Sequence, residues 1–226
     1  MVDDVTSHEF LHILTPLNLH SEHIENFDFS SPKMSKHLLL YEGITEYFSN
    51  LVQLQSGIIN QKKFFENMRD KINQAEEYGD FSMTEMSLHV LEDKYQAKYS
   101  SVYNRGALIG LMLDVFIREK TNQQKDLKAV VTGLAKKYGA GKPFNDDAFL
   151  DEFIKASHPE VAGFINNYIS GDKSLPFAET FGKLGYEYRD KKRVNVYFNG
   201  GAGLTYNEET RSFVFAEVKD DNALGI

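Results

Sequence analysis

Cysteine is absent from this 226-residue sequence, and its absence narrows the chemistry that the chain can perform. Without thiols there are no disulfides, no thiolate metal sites and no cysteine nucleophile, which leaves His, Asp and Glu as the strong metal ligands. Long apolar runs are missing too. None approaches the roughly 20 residues needed to cross a bilayer, so no membrane-spanning segment is expected.

Basic residues are in deficit. Lys and Arg number 25 against 33 Asp and Glu, and the resulting net charge of −8 argues against a nucleic-acid partner. Charged residues make up 26% of the chain and hydrophobic residues 42%, which is the balance of a folded globular protein.

The first chemical motif is His8-Glu9-Phe10-Leu11-His12, an HExxH sequence. The pattern from Asp4 to about Leu14 is helical, and Pro16 ends it. Histidines four residues apart lie on one face of a helix and can bind one Zn²⁺, with the intervening glutamate beside the metal. Such a site needs a third protein ligand and an open position for water.

A second helix, predicted over residues 34 to 55, carries Glu42 and Glu46 four residues apart on one face. The apolar residues around them predict a largely buried helix, where two unpartnered carboxylates would be costly. A metal at Glu42 and a histidine at Glu46 would remove both penalties, so we expect Glu42 to be the third zinc ligand. Glu46 would then hydrogen-bond a zinc histidine and fix its orientation. The alternative is a solvated helix face.

This constellation implies a hydrolytic mechanism. One Zn²⁺ held by His8, His12 and Glu42 would lower the pKa of water toward about 7. Glu9 could take the proton of that water and pass it to the leaving amine of a peptide. The reaction also needs a donor for the oxyanion that forms at the attacked carbonyl.

The rest of the chain predicts a mainly α fold with a short C-terminal β segment. Helical periodicity continues over residues 61–75, 83–93, 101–120, 125–138, 145–156, 158–170 and 176–184. Alternation then predicts strands at 186–188, 194–198, 204–206 and 212–218. The shift in composition near residue 190 divides the chain into domains 1–188 and 189–226, and the second is too short for an independent sheet domain of ordinary stability.

Three segments resemble the glycyl aminopeptidase family of gluzincin zinc metallopeptidases. The sequence HEFLH, a gap of 29 residues and then EGITEYF is similar to the family's zinc-binding pattern, whereas membrane-alanyl aminopeptidases have a shorter gap. The segment YSSVYNRGAL, from Tyr99 to Leu108, is similar to the family's Y-x-K/R-G-A-L, whose tyrosine stabilises the tetrahedral intermediate. The resemblance thus implies a thermolysin-like helical catalytic subdomain with Tyr103 as the oxyanion donor. Without the family motif, the alternative interpretation is that Tyr103 is an ordinary amphipathic tyrosine at the start of a helix.

The resemblance extends toward the end of the chain. The segment from Ile169 to Phe177 is similar to the family's closure of the helical domain. The last residues resemble the first third of a PDZ domain, which follows the catalytic part in this family. Gly201-Ala202-Gly203-Leu204 would be its carboxylate-binding loop and strand, and 189–226 would be a truncated PDZ-like segment.

The chain also departs from the family. Residues 13–21 lack the basic residues of the family's W-N-x-x-R-I-R-P, so the substrate contacts of that segment are not carried over. The upstream sheet is absent, and with it the glutamate that binds the substrate's α-amine in related aminopeptidases. We therefore expect a fragment. His20 and His23 lie among acids, where a weak second metal site or a solvated loop would explain them.

The function implied by the resemblance is a zinc-dependent aminopeptidase that releases small N-terminal residues such as Gly or Ala from peptide substrates. Family members are often exported, which implies a periplasmic or extracellular location. The alternative is a truncated, non-catalytic zinc-binding remnant or interaction module, because the sheet that forms the other wall of the substrate cleft is missing.

Overall fold

The computed structural model describes residues 2–139, 141–190 and 203–217. The chain forms two compact units, Met1–Glu187 and Tyr188–Ile226. The first unit is helical and the second contains a two-stranded sheet, so the prediction of a mainly α fold with a short C-terminal β segment is confirmed. Among the described residues, no helix combines the length and apolarity needed to span a membrane.

The first unit is built of consecutive helices. In chain order they are α1 (Val2–Leu11), α2 (Glu22–Glu25), a π-helical turn (Leu39–Gly43), α3 (Ile44–Gln55), α4 (Gln61–Glu76), α5 (Met83–Leu88), α6 (Asp93–Gln96), α7 (Ser101–Lys120), α8 (Leu127–Lys137), α9 (Phe149–Ala156), α10 (Val161–Tyr168) and α11 (Phe177–Lys183). In the second unit β1 (Gly203–Asn207) pairs with β2 (Ser212–Glu217) in antiparallel register, with Tyr206 opposite Phe213.

The helix predicted over residues 34–55 begins later than expected, as the π-helical turn at Leu39. The reason is Asp146, whose side chain binds the preceding segment in a non-helical conformation. The Ser35 hydroxyl donates to Oδ1 of Asp146 at 2.6 Å, and the backbone N–H of Lys36 donates to Oδ2 at 3.3 Å. A tertiary contact therefore overrides the local periodicity.

The strand predicted at residues 186–188 is wrong, because the chain there has no strand pairing. The backbone N–H of Tyr186 donates to the carbonyl of Phe181 at 2.9 Å, and its ring packs against Phe65 with centroids 4.2 Å apart. The aromatic alternation thus serves helix packing. The strands predicted at 204–206 and 212–218 correspond to β1 and β2.

Part of the PDZ-like prediction lies outside the described residues. The strand at 194–198 and the loop residues Gly201 and Ala202 are among those that the structure does not describe. Residues 203–217 of the second unit form a hairpin, in which Asn207 Oδ1 accepts from the N–H groups of Glu209 and Thr210, both at 3.0 Å. The PDZ-like character of this unit stays a prediction.

Helix α7 is the centre of the first unit. It packs against the π-helical turn and against α3, α4, α8, α10 and α11. The buried carboxylate of Asp114 on this helix links α7 to two neighbouring helices. It accepts hydrogen bonds from the Tyr47 hydroxyl on α3 and from the backbone N–H of Leu127 at the start of α8, both at 2.7 Å. A satisfied buried carboxylate of this kind holds three helices in register.

The π-helical turn crosses α7 at two glycines. A Cβ atom built on Gly43 would lie 2.6 Å from Cα of Gly106, a distance that admits no side chain without a backbone shift. One turn further along, a Cβ on Gly110 would lie 2.8 Å from Cβ of Tyr47. Backbone contact therefore sets the separation between the turn that carries Glu42 and the N-terminal part of α7.

Replacing Gly106 with Ala should destabilise the protein through this crossing. The added methyl group meets backbone atoms of Gly43, and overpacking of this kind costs about 1–3 kcal/mol. The measurement is the free energy of unfolding from urea denaturation.

Gly133→Ala is the matched control. Gly133 is also inside a helix, α8, but a Cβ there has no atom within 4 Å. Its replacement should stabilise the helix by up to about 1 kcal/mol. If Gly106→Ala were as stable as Gly133→Ala, the close approach would not constrain the fold.

His37 should make the protein less stable as the pH falls from about 7 to 5.5. Burial lowers its pKa in the folded state, although the backbone and carboxylate of Asp146 oppose this, whereas the unfolded side chain titrates near pH 6.5. The unfolded state therefore binds the extra proton, and stability is lost below that pH by up to about 1.4 kcal/mol per pH unit.

His37→Gln should flatten the pH dependence of the unfolding free energy. The same change at His89, which is 43% exposed, should not. Parallel slopes for the two variants would contradict the assignment.

Candidate metal centre

Helix α1 presents His8 and His12 on one face, as their spacing predicts. Their rings meet edge to face with centroids 4.8 Å apart. The carboxylate of Glu9 lies beside them, and one ligand atom from each of these three residues lies within 4.8 Å of the other two. His8 is 7% exposed and Glu9 is open to solvent, so the helix places a buried imidazole next to an accessible acid.

The π-helical turn brings Glu42 to the same point. Its Oε2 lies 3.2 Å from Nε2 of His8 and 3.6 Å from Nε2 of His12. Two ligand atoms bound to one tetrahedral zinc are themselves about 3.4 Å apart, given metal–ligand distances of about 2.0–2.2 Å. Two imidazole nitrogens and one carboxylate oxygen are also the donor set of a common class of catalytic zinc site. The residues present therefore fit a divalent metal such as zinc.

The other nitrogen of each ring is held by a separate partner. Nδ1 of His12 lies 3.0 Å from the carbonyl oxygen of Thr15, and Nδ1 of His8 lies 2.8 Å from Oε2 of Glu46. Because a carbonyl only accepts hydrogen bonds, Nδ1 of His12 carries a proton and its Nε2 is the atom left to bind a metal. The same orientation of His8 is fixed by the Glu46 carboxylate.

The charged groups at the site shift one another's pKa values. Hydrogen bonds to Glu42 and Glu46 raise the pKa of His8 to about 9. Burial alone would raise the pKa of Glu46. The hydrogen bond from His8 and the neighbouring ammonium of Lys71 lower this pKa by more than burial raises it, so the group stays a carboxylate. The site therefore concentrates negative charge around the two rings, which favours a cation between them.

Tyr103 lies on the first turn of α7 and faces the same site, with its ring centroid 5.7 Å from that of His8. Burial, a hydrogen bond with Tyr99 and the charge of Glu42 raise the pKa of its hydroxyl well above its ordinary value. The phenol therefore keeps its proton and can donate a hydrogen bond. The glycine crossing at Gly106, one turn later, holds it in place.

One open cavity of about 510 Å³ collects these groups. It is lined by Val5 together with all six residues that the sequence singles out: His8, Glu9, His12, Glu42, Glu46 and Tyr103. The structure thus brings the predicted set to one place, while the chemical role of each residue stays a prediction.

His20 and His23 do not form a second centre of this kind. His20 is engaged at both nitrogens, by Glu25 at 2.6 Å and by the carbonyl of Pro16 at 2.8 Å. Nδ1 of His23 lies 3.7 Å from Oδ1 of Asp146. In the described part of the chain, the histidines and acids close enough to share a metal are grouped around His8, Glu9 and His12, beside Glu42, and neither His20 nor His23 belongs to that group.

Three groups at the site were not predicted from the sequence. The role of the Thr15 carbonyl could not be predicted from the sequence, because every residue carries a backbone carbonyl. Asn50 follows Glu46 by four residues, and its Nδ2 donates to Oε1 of Glu46 at 3.3 Å, so helical spacing could have indicated it. Lys71, 25 residues after Glu46, lies 2.6 Å from the same oxygen and carries no sequence signal of its role.

Comparison with known proteins agrees with the motifs. Residues 2–109 match the sequence model of the M61 glycyl aminopeptidase family, a span that includes the metal-ligand candidates and Tyr103, so the family resemblance is confirmed. Among solved structures, the fold is similar to that of an aminopeptidase N family protein from Idiomarina loihiensis, with a TM-score of 0.73 at 21% identity. The match covers 97% of this chain and 41% of that one, so this chain spans about two-fifths of its length. No curated protein matches the sequence.

We expect the protein to bind about one equivalent of a divalent transition metal, because one set of three donors converges in the cavity. His8→Ala should abolish stoichiometric binding, since two donors hold such ions far more weakly than three. The measurement is metal content by elemental analysis after dialysis. His20→Ala is the matched control, because His20 is similarly buried at 6% but lies outside the cavity. Full metal content in His8→Ala would remove His8 from the ligand set.

Proposed function

We propose that this chain, whose residues 2–109 match the M61 glycyl aminopeptidase family, carries the zinc-dependent catalytic site of a peptidase. The observation that supports this most directly is the convergence of His8 Nε2 and His12 Nε2 on Oε2 of Glu42, at 3.2 and 3.6 Å. An accessible carboxylate and a protonated phenol face the same cavity.

His8, His12 and Glu42 are proposed to hold the metal, which would supply a Lewis acid that polarises the substrate carbonyl and activates water for attack. The protein's own proton transfers then fall to Glu9. Its carboxylate would accept a proton from the attacking water and deliver it to the nitrogen of the leaving amine as the peptide bond breaks. Its exposure at the cavity gives it access to both.

Tyr103 is proposed as the donor that stabilises the oxyanion. As the carbonyl carbon becomes tetrahedral, its oxygen gains negative charge, and a hydroxyl that is already in place can donate a hydrogen bond to it. The raised pKa supports this role, because the phenol remains a donor across the physiological range.

The preference for small N-terminal residues is a further part of the proposal. It is supported by the description of the matched family as glycyl aminopeptidases. The name of the similar structure, an aminopeptidase N family protein, supports only the removal of N-terminal residues. We also propose a periplasmic or extracellular location, for which the family resemblance is the support.

A zinc-binding interaction module is the second candidate. Exposed apolar residues near the motif in sequence favour this function, since Phe10 on α1 and Ile13 and Leu17 in the turns after it are 69%, 58% and 70% exposed. Exposed apolar side chains that form a contiguous patch are typical of a surface that another polypeptide covers.

Tyr103→Phe should lower the turnover of glycyl and alanyl peptide substrates by about 10²–10³-fold, because one oxyanion donor is removed. Zinc content should be unchanged. Glu9→Gln should reduce turnover further and also retain zinc. The measurements are kcat and KM together with metal analysis of each variant.

Tyr78→Phe serves as the control, since the Tyr78 hydroxyl bonds Ser100 Oγ at 2.6 Å outside the cavity. Loss of zinc from Tyr103→Phe would make that tyrosine structural. Zinc bound in full by the unmodified chain, with no turnover that Glu9→Gln can reduce, would favour the interaction module.

A further inference from the structure

The carboxylate of Glu46 uses its two oxygens for two different purposes. Oε2 accepts from Nδ1 of His8 at 2.8 Å, on the side of the metal centre. Oε1 accepts from the ammonium of Lys71 at 2.6 Å and from Nδ2 of Asn50 at 3.3 Å, on the side of α4. The side chain of Lys71 is 13% exposed, so this ion pair is largely shielded from water.

These contacts belong to a polar ladder between α3 and α4. Glu46 and Asn50 are one helical turn apart on α3, and Lys71 and Asn67 are one turn apart on α4. Besides the pair of Glu46 with Lys71, Asn67 Nδ2 donates to Asn50 Oδ1 at 3.0 Å. Met68, which follows Asn67 in sequence on α4, is fully buried, so this part of the helix is packed in the core. Two rungs on a packed helix hold the position of Glu46 more tightly than one contact would.

An exposed pair on the same helix shows the contrast. Lys62 and Glu66 approach only to 3.9 Å, and the lysine side chain is 85% exposed. Exposed pairs of this kind contribute little. Lys71 differs in its short contact, its burial and its place behind a candidate metal ligand.

The charges around Glu46 require a cation. Glu42 lies one helical turn away, and carboxylates at that spacing repel each other. When Nε2 of His8 is given to a metal, the ring is neutral and offers Glu46 only the N–H at Nδ1. Among the described residues, the ion pairs of Glu46 are those with His8 and Lys71, so Lys71 then balances the carboxylate.

We propose that Lys71 is a positioning residue for the metal centre. By fixing Oε1 of Glu46, it holds Oε2 against Nδ1 of His8 and keeps Nε2 of that ring directed at Glu42 and His12. The inference rests on the proposed function, because it assigns His8 to a metal. Lys71 itself touches neither metal nor substrate.

The test is the dissociation constant for zinc, measured by competition with a chromophoric chelator. Lys71→Met keeps the aliphatic stem and removes the charge, and zinc binding should weaken by about tenfold, the lower end of the range for residues that support a ligand from behind. Lys71→Arg should recover most of the affinity, and Lys62→Met should leave it unchanged. The absorption spectrum of the Co²⁺ form should shift in Lys71→Met and return in Lys71→Arg.

The unfolding free energy of each metal-free variant separates positioning from packing. Wild-type zinc affinity in Lys71→Met would overturn the inference. So would equal losses of affinity and stability in Lys71→Met and Lys71→Arg, since those would reflect packing alone. If Lys71→Met does not fold, Lys71→Gln provides a second neutral side chain for the same comparison.

This experiment also separates the two proposals. An unmodified protein that takes up no zinc would overturn the proposed function, and with it the role of Lys71, before any variant is made. Zinc affinity is measured without turnover, so it decides the role of Lys71 whether or not this chain hydrolyses peptides.

Discussion

Where the π-helical turn crosses α7, two backbones come so close that a methyl group on Gly43 would lie 2.6 Å from Cα of Gly106. Two residues of the candidate site lie close to these glycines in sequence. Glu42 immediately precedes the first glycine, and Tyr103 lies one helical turn before the second. A contact between backbones cannot be adjusted by changing a rotamer, so the main chain fixes the separation between the backbone positions that carry Glu42 and Tyr103. The placement of these two residues at the site thus follows from the packing of the backbone.

Electrostatics impose a second constraint on the same region. Three carboxylates, those of Glu9, Glu42 and Glu46, surround two imidazoles, and the accumulated negative charge would oppose folding if it were left unpaired. The structure balances one side with Lys71 and leaves the other side open to a cation. A cation bound at the centre of the site would therefore share the balancing positive charge with the ammonium of Lys71 behind it.

The sequence predicts the parts of this site that depend on helical spacing. The face shared by His8 and His12 follows from four-residue periodicity, and so does the pair of Glu42 and Glu46. Tyr103 required the family motif, because an isolated tyrosine at a helix start has no distinctive pattern. The late start of the second long helix could not be predicted, since it depends on Asp146, more than 100 residues away. The aromatic alternation around Tyr186 was misleading for a similar reason, because that ring packs on a helix distant in sequence.

The position of the candidate ligands along the chain has a thermodynamic consequence. His8 and Glu42 are separated by 34 residues, and the segment between them includes α2 and long irregular stretches. An ion shared by its two ends would close that segment into a loop. Cross-linking a loop of this length removes about 4 kcal/mol of chain entropy from the unfolded state, in the simplest estimate. A metal ion bound at both ends would therefore link α1 covalently in effect to the rest of the first unit, so that metal binding and the folding of α1 would be one coupled equilibrium.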